Sequence, residues 1–231
     1  MLSAAIFDVD GVLLASPHER AWREALDGLV DPAAFTTVLY QTRVAGKARL
    51  DGALAALEAL GVADAAARAA PYAARKQARL EALVAEGPVE AFPDALRLLR
   101  ALKALGWSLA AASASKNASG MLRTIAFDGE TLLAAFGVNA CGRDVTRGKP
   151  DPELYALAAC ELGVAPARCL VIEDAPAGIL AARAGGMASL GIARLSDEAV
   201  LVAAGADLVV TSLDAVSRPE LAAGRLAREV S

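Results

Sequence analysis

The chain has 231 residues, a formal net charge of -4, 56% hydrophobic residues and only 4% aromatic ones. That length holds one large domain or two unequal ones, with a core built mainly from Ala, Leu and Val. There is no basic block, which argues against an extended nucleic-acid footprint, and no apolar run reaches the roughly 18 residues of a spanning helix. No basic segment precedes the first apolar run, so no secretory signal is expected, and a cytoplasmic, monomeric protein is. The three cysteines, Cys141, Cys160 and Cys169, lack CxxC spacing and read as reduced thiols. His18 is the only histidine, which removes a zinc site and most schemes that use a His base. Neither GxxxxGK[ST] nor GxGxxG occurs.

Taken in order, the chain opens with Ala4-Ala5-Ile6-Phe7, an apolar run too short for a helix. It reads as a buried parallel strand. The run ends in Asp8-Val9-Asp10-Gly11, with two acids two residues apart and a glycine that lets the chain turn sharply. Two acids this close repel when both are ionised, and either a divalent cation or a shared proton relieves that. An Asp-rich loop capping a helix that begins near Ser16 is the plainer alternative.

Ser16-Pro17 signals a helix start, and Ala21, Trp22, Ala25, Leu26 and Leu29 follow at helical spacing. Gly46 to Leu60 and Ala65 to Val84 read as amphipathic helices, and no strand is evident from that first helix to about residue 86. This predicts a helical insert at 15–87, between core segments 1–14 and 88–231. Two cations in the insert stand out. Lys76 shares an apolar stripe with Tyr72, Leu80 and Leu83, where a lysine ordinarily snorkels from the edge. Arg49 sits near a helix start, where a cation opposes the macrodipole and is ordinarily a solvated surface group.

Gly87-Pro88 closes the insert, and Phe92-Pro93-Asp94 opens a helix to about Leu105. Trp107 to Ala112 is a strand ending in Ser113-Ala114-Ser115-Lys116-Asn117. Residues 127 to 141 are ambiguous, with a short strand at Val138 to Cys141. Asp151 and Pro152 suit the N-cap and first turn of the next helix. Cys169 to Ile172 is a strand ending in Glu173-Asp174, followed by a helix from about Ala177 to Gly185. Ala188 to Ile192 and Asp207 to Val210 are further strands. Alternating strands and helices imply an α/β fold with a doubly wound, Rossmann-like parallel sheet.

In such a sheet the carboxyl ends share one edge, and ligands bind beyond it. Asp8, Asp10, Ser113, Glu173 and Asp174 then converge, with Lys149 preceding a helix on that side. An oxygen-rich site of this kind suits magnesium. A lysine and a hydroxyl suit phosphate oxygens, and a carboxylate can serve as nucleophile toward phosphorus.

At these residues the chain resembles the haloacid dehalogenase superfamily. Asp8-Val9-Asp10-Gly11-Val12, Ser113, Lys149-Pro150 and Glu173-Asp174 match its four motifs in order. The resemblance implies Asp8 as nucleophile and Asp10 as general acid/base. It implies magnesium on Asp8, the Asp10 backbone carbonyl and Asp174, with Glu173 assisting. Ser113, Ala114 and Lys149 would hold the transferring phosphoryl group.

Within the superfamily the chain is most similar to the β-phosphoglucomutase group over nearly its whole length. His18 with Arg20-Ala21-Trp22, Arg49, Lys76 and Ser113 to Asn117 carry that likeness. It implies a small phosphorylated metabolite as partner, with Arg49, Ser115, Lys116 and Asn117 on its distal phosphate and His18 and Lys76 nearby. The segment from Gly11 to His18 is about two residues shorter than in that group, and Ala15 stands where an acid is common. Lys116 to Lys149 is a few residues longer. The expected reaction is hydrolysis of a sugar phosphate through an aspartyl-phosphate. The alternative is interconversion of sugar 1- and 6-phosphates. A dehalogenase has no need of Asp10, a receiver domain has its nucleophile on a later strand, and a non-catalytic binder has no reason to keep both acids.

Overall fold

The structure is a computed structural model and describes residues 1–229. Its first strand is Ala4–Phe7 (β1), with all four residues buried. A helical stretch follows, with His18–Glu24 (α1), the short Thr37–Leu39 (α2), Arg49–Ala59 (α3) and Ala65–Glu86 (α4). A π turn, Tyr40–Val44, continues directly from α2. Strands and helices then alternate. They are Pro93–Ala104 (α5), Ser108–Ala111 (β2), Ala118–Thr124 (α6), Ala126–Phe127 (β3), Glu130–Thr131 (β4), Val138–Asn139 (β5) and Glu153–Leu162 (α7). The last are Cys169–Glu173 (β6), Pro176–Ala184 (α8), Ala188–Ile192 (β7), Glu198–Ala204 (α9), Leu208–Val210 (β8) and Arg218–Ala222 (α10). No helix among the described residues is long and apolar enough to cross a membrane.

Six strands form one parallel sheet in the order β5-β2-β1-β6-β7-β8. β1 is therefore central, with Phe7 in register with Ala111 on one side and Ile172 on the other. Its side chains alternate between faces, as the two-residue period of a strand requires. Ala5 and Phe7 join the core beneath α5 and α6, and Ala4 and Ile6 join the one beneath α7 and α8. Helices thus cover both faces, which is why the strands read as unbroken apolar runs. The insert has an apolar cluster of its own, around Trp22, Leu26, Phe35, Leu57 and Tyr72.

Local details depart from the sequence reading. Ser16 does not cap α1, because its hydroxyl donates to Asp10 Oδ1 at 2.6 Å. α3 starts at Arg49, because Gly46 holds a left-handed turn at φ +75°. α7 starts at Glu153, although Asp151 still accepts its backbone N–H at 3.0 Å. β3 and β4 make an unanticipated hairpin around Asp128-Gly129, both residues with positive φ. That dipeptide is a strong hairpin signal.

The two crossings between sheet and insert lie side by side. Leu14 bridges Ala91, the Phe92 N–H donates to Leu13 O at 2.9 Å and the Ala15 N–H donates to Glu90 O at 2.9 Å. Arg194, just beyond β7, fastens this junction. Its guanidinium donates to Gly11 O at 2.8 Å, to Val12 O at 3.1 Å and to Asp94 Oδ1 at 3.0 Å, and lies 3.6 Å from the centre of the Phe92 ring. A planar fork is needed to serve three acceptors at once. Arg194→Ala strands two carbonyls, each a cost of about 1–3 kcal/mol when desolvated, while Asp94 keeps the Ala95 and Leu213 N–H groups. The expected loss is at least about 5 °C in Tm by calorimetry, with only partial recovery in Arg194→Lys. An unchanged Tm would show that the fork carries no stability.

Candidate active site

The site forms where β1, β2 and β6 end. Asp8 follows β1, and its N–H donates to Ile172 O at 3.0 Å, so its backbone continues the ladder. Lys149 reaches in from the segment before α7. Its ammonium donates to Asp8 Oδ1 at 2.6 Å and to Glu173 Oε1 at 2.5 Å, and all three side chains are buried. Glu173 Oε1 also accepts from the Tyr155 hydroxyl at 2.5 Å. Its Oε2 accepts the backbone N–H groups of Asp174 and Ala175, both at 3.0 Å. The carboxylate is saturated, so its contribution here is to place Lys149 and the Asp174 turn. Two glycines make room. A Cβ on Gly11 would lie 1.9 Å from Asp174 Oδ2, and one on Gly178 would lie 1.8 Å from Glu173 Oε1.

Asp8, Glu173 and Asp174 can each present an oxygen within 4.8 Å of the others. Burial pushes the Asp8 carboxyl up to about 8, with Glu173 and Asp10 adding to the rise and Lys149 opposing it. Asp174 is pushed well above the usual carboxylate range, by burial first and then by Glu173 and Asp8. One ammonium is therefore too little charge for this cluster. Hard oxygen donors crowded in this way fit a small divalent cation, and Asp8 and Asp174 are the two with oxygens to give.

The insert supplies the facing wall. One cavity is lined by Asp8, Asp10, Asp174 and Ser113 from the sheet side and by His18, Arg49 and Lys76 from the insert. Lys76 Nζ lies 2.8 Å from His18 Nδ1 and 4.7 Å from the centre of the Trp22 ring. A protonated Lys76 donates to Nδ1, which leaves the imidazole proton on Nε2, 3.4 Å from Asp10 Oδ1. Burial pulls His18 down to about 4, with Lys76 and Arg49 adding to the fall against Asp10, so the ring is neutral. Asp10 is held from two more sides, by Ser16 Oγ at 2.6 Å and Ser113 Oγ at 3.3 Å. The Ser115 N–H donates to Ser113 Oγ at 3.0 Å and fixes that hydroxyl.

The model of the family described as haloacid dehalogenase-like hydrolase matches residues 2–186. The chain belongs to this family. It is 34% identical to a β-phosphoglucomutase of Mycobacterium tuberculosis over 91% of this chain and 89% of that protein. It is 31% identical to a validoxylamine A 7′-phosphate phosphatase of Streptomyces hygroscopicus, over 96% and 99% of the two chains. The solved structure of an archaeal β-phosphoglucomutase from Pyrococcus superposes with a TM-score of 0.75 and 30% identity, covering 97% of this chain and 98% of that one. The protein is therefore an enzyme of the β-phosphoglucomutase-like group, with the α/β fold of that group.

Most residues expected at the site are brought together. Asp8, Asp10, His18, Arg49, Lys76, Ser113, Ala114, Ser115, Asn117 and Asp174 line the one cavity, with Lys149 and Glu173 directly behind Asp8. Lys116 is not among them. Its ammonium pairs with Asp144 at 2.8 Å on the exposed surface. Asn117 lines the cavity but spends its amide on Gln77 of α4, in a reciprocal pair at 3.0 and 3.1 Å. Lys76 does not snorkel. Its side chain is buried, and Leu80 and Leu83 of the same stripe pack beside Ala21 of α1. Sequence reasoning missed Gln77, Tyr40 and Ser16 as parts of the site. For Ser16 the signal was its place six residues after Asp10, read instead as a helix cap.

Burial pulls the Lys76 ammonium down to about 7, with Arg49 adding to the fall and Asp10 opposing it. An unfolded lysine titrates near 10.4. Between those values the folded chain binds fewer protons than the unfolded one, so this group makes stability rise with pH across that window. Its full burial cost is present below pH 7. Lys76→Met is expected to raise Tm at pH 6 by at least about 2 °C, and the gain is expected to shrink toward pH 9.5. A lower Tm for the variant at pH 6 would contradict a penalised ammonium.

Proposed function

We propose that the enzyme hydrolyses a small phosphate monoester, a sugar phosphate, through an aspartyl-phosphate on Asp8, with magnesium as cofactor. The observation that carries this reading is the enclosure of Asp8, Asp10 and Asp174 in one cavity opposite Arg49 and Lys76. Acids on one wall serve the reacting end, and cations on the other attract a substrate that is itself an anion. Relatives named β-phosphoglucomutase and validoxylamine A 7′-phosphate phosphatase support a phosphorylated substrate.

In this reading an Asp8 carboxylate oxygen attacks phosphorus while the bond from phosphorus to the ester oxygen breaks. Asp10 gives its proton to that departing oxygen. Asp10, now ionised, takes a proton from water as the water oxygen attacks phosphorus, and the acyl-phosphate bond breaks to return the Asp8 carboxylate. Ser113, the adjoining backbone N–H groups and Lys149 hold the phosphoryl oxygens. Neutral His18 and the Ser16 hydroxyl aim Asp10. Magnesium, held by Asp8, Asp174 and the Asp10 carbonyl, would keep Asp8 ionised and screen the phosphoryl charge. The insert at 15–87 acts as a cap that excludes bulk water.

Asp8→Asn is expected to lower phosphate release from p-nitrophenyl phosphate by several orders of magnitude with Tm little changed, since it deletes the covalent step. More than a few per cent residual activity in a folded variant would exclude Asp8 as nucleophile. Full wild-type activity in excess EDTA would exclude the metal.

Mutase chemistry is the second reading, favoured by the cavity that insert and sheet share and by relatives with that name. A mutase must grip a sugar bisphosphate in two orientations. With Lys116 turned to the surface and the Asn117 amide engaged by Gln77, the distal grip is reduced, which supports hydrolysis. Phosphorus NMR on β-glucose 1-phosphate, with magnesium and a trace of the 1,6-bisphosphate, separates the two. Free phosphate is expected to appear in step with substrate loss. Glucose 6-phosphate accumulating without it would establish the mutase.

A further inference from the structure

Tyr40 is a polar group of the cavity wall with no assigned work. It opens the π turn Tyr40–Val44, and such turns recur at functional sites. Its ring rests on Phe35 of the insert's apolar cluster, with centroids 6.2 Å apart. Its other end lines the cavity that holds Asp8, Asp10 and Asp174. The chain has three tyrosines. Tyr72 donates its hydroxyl to Trp22 O at 2.8 Å and Tyr155 donates to Glu173 Oε1 at 2.5 Å. The Tyr40 hydroxyl has no hydrogen-bond partner among the described residues, and its half-buried place on the cavity wall leaves it free to meet a ligand.

We propose that Tyr40 is a substrate-contacting residue supplied by the insert, whose hydroxyl donates a hydrogen bond to an oxygen of the transferring phosphoryl group. The proposal rests on the phosphoryl-transfer reading above. Burial and the facing carboxyl groups of Asp174, Asp10, Glu19 and Asp8 hold the phenol well above its ordinary pKa, so it is a neutral donor throughout the working range. A neutral donor suits this position. It can bind an oxyanion without pairing off the carboxylates that the metal and the chemistry need. Ser113 and Lys149 approach the phosphoryl group from the sheet side, whereas Tyr40 arrives from the insert. Its hydrogen bond therefore forms only with the insert over the site, and it ties closure to chemistry.

The test is Tyr40→Phe, which removes one oxygen and leaves the ring on Phe35. The phosphoryl group is common to all substrates, so kcat is expected to fall at least tenfold on both p-nitrophenyl phosphate and β-glucose 1-phosphate. Orthophosphate binding, measured by calorimetry with magnesium present, is expected to weaken at least about fivefold, and Tm is expected to hold within about 2 °C. A loss confined to the sugar phosphate would place the hydroxyl on the leaving group and overturn the proposal, as would unchanged kcat and unchanged orthophosphate affinity. Wild-type protein labelled with ¹³C at tyrosine Cζ gives a readout that needs no folded variant at position 40. Tyr72→Phe and Tyr155→Phe identify two of the resonances, and the third is expected to move on addition of orthophosphate and magnesium. A third resonance that stays still would overturn the assignment. A wild type that binds orthophosphate but turns over no phosphate ester would fail the phosphoryl-transfer reading, and the NMR shift would still decide whether Tyr40 meets the anion.

Discussion

One buried ammonium, Lys149, stands between Asp8 and Glu173, and the rest of the site is arranged around its being insufficient. Two carboxylates and one ammonium already leave the cluster a negative charge. Asp174, packed against Gly11 and close to both acids, adds another. Desolvation makes each of these charges expensive, and the cheapest response of an isolated carboxyl is to keep its proton. That would disable Asp8 as a nucleophile. Among the described residues the fold does not relieve the conflict with a second protein cation on this wall. It leaves oxygens on Asp8 and Asp174 unspent while saturating Glu173 with four hydrogen bonds. The distinction between a saturated acid and two unsaturated ones separates a support from candidate ligands.

The same reasoning explains why the sheet is so apolar up to its edge. Asp8 can be held in place only if β1 is rigid, and β1 is rigid because it lies between β2 and β6 with helices on both faces. The small residues matter too. Ala4, Ala5, Ala110 and Ala111 let α5 and α7 approach the strands closely, and Gly178 brings α8 against Glu173. Activity and packing therefore meet in the same few positions, and a methyl group at Gly11 or Gly178 would displace a carboxylate as well as a backbone.

Legibility from the sequence followed this division. Asp8, Asp10, Glu173 and Asp174 were readable because strand ends point one way in a parallel sheet, so backbone direction alone brings them together. Lys76 was readable as an anomaly, a cation on an apolar stripe, and its burial against His18 and Trp22 explains the anomaly. Lys116 was misplaced because a loop gives no periodicity from which to read a side chain's direction. Tyr40 was invisible because a π turn has no periodic pattern to recognise. The Asp128-Gly129 hairpin lay in the open as a dipeptide and was overlooked in an otherwise patternless stretch. Arg194 could not be found by any local rule, since its partners at Gly11 and Val12 lie on the far side of the chain's length.

The insert faces the acids with cations, and this arrangement decides how the two halves interact. Asp10 attracts Lys76, so a coulombic pull draws insert and sheet together before any ligand arrives. The pull is opposed first by the cost of burying the Lys76 ammonium and then by its repulsion from Arg49, the two effects that depress the lysine. A bound anion changes the balance. It gives both cations a partner at short range and separates them from the carboxylates by a group of matching charge. If the insert is a cap, as proposed, a phosphorylated ligand would favour its closure, and the paired crossings at Leu14 and Ala91 are where insert and sheet connect. The cations of the insert thus do two things at once. On the proposed function they would select an anionic substrate and couple its presence to the enclosure of Asp8 and Asp10.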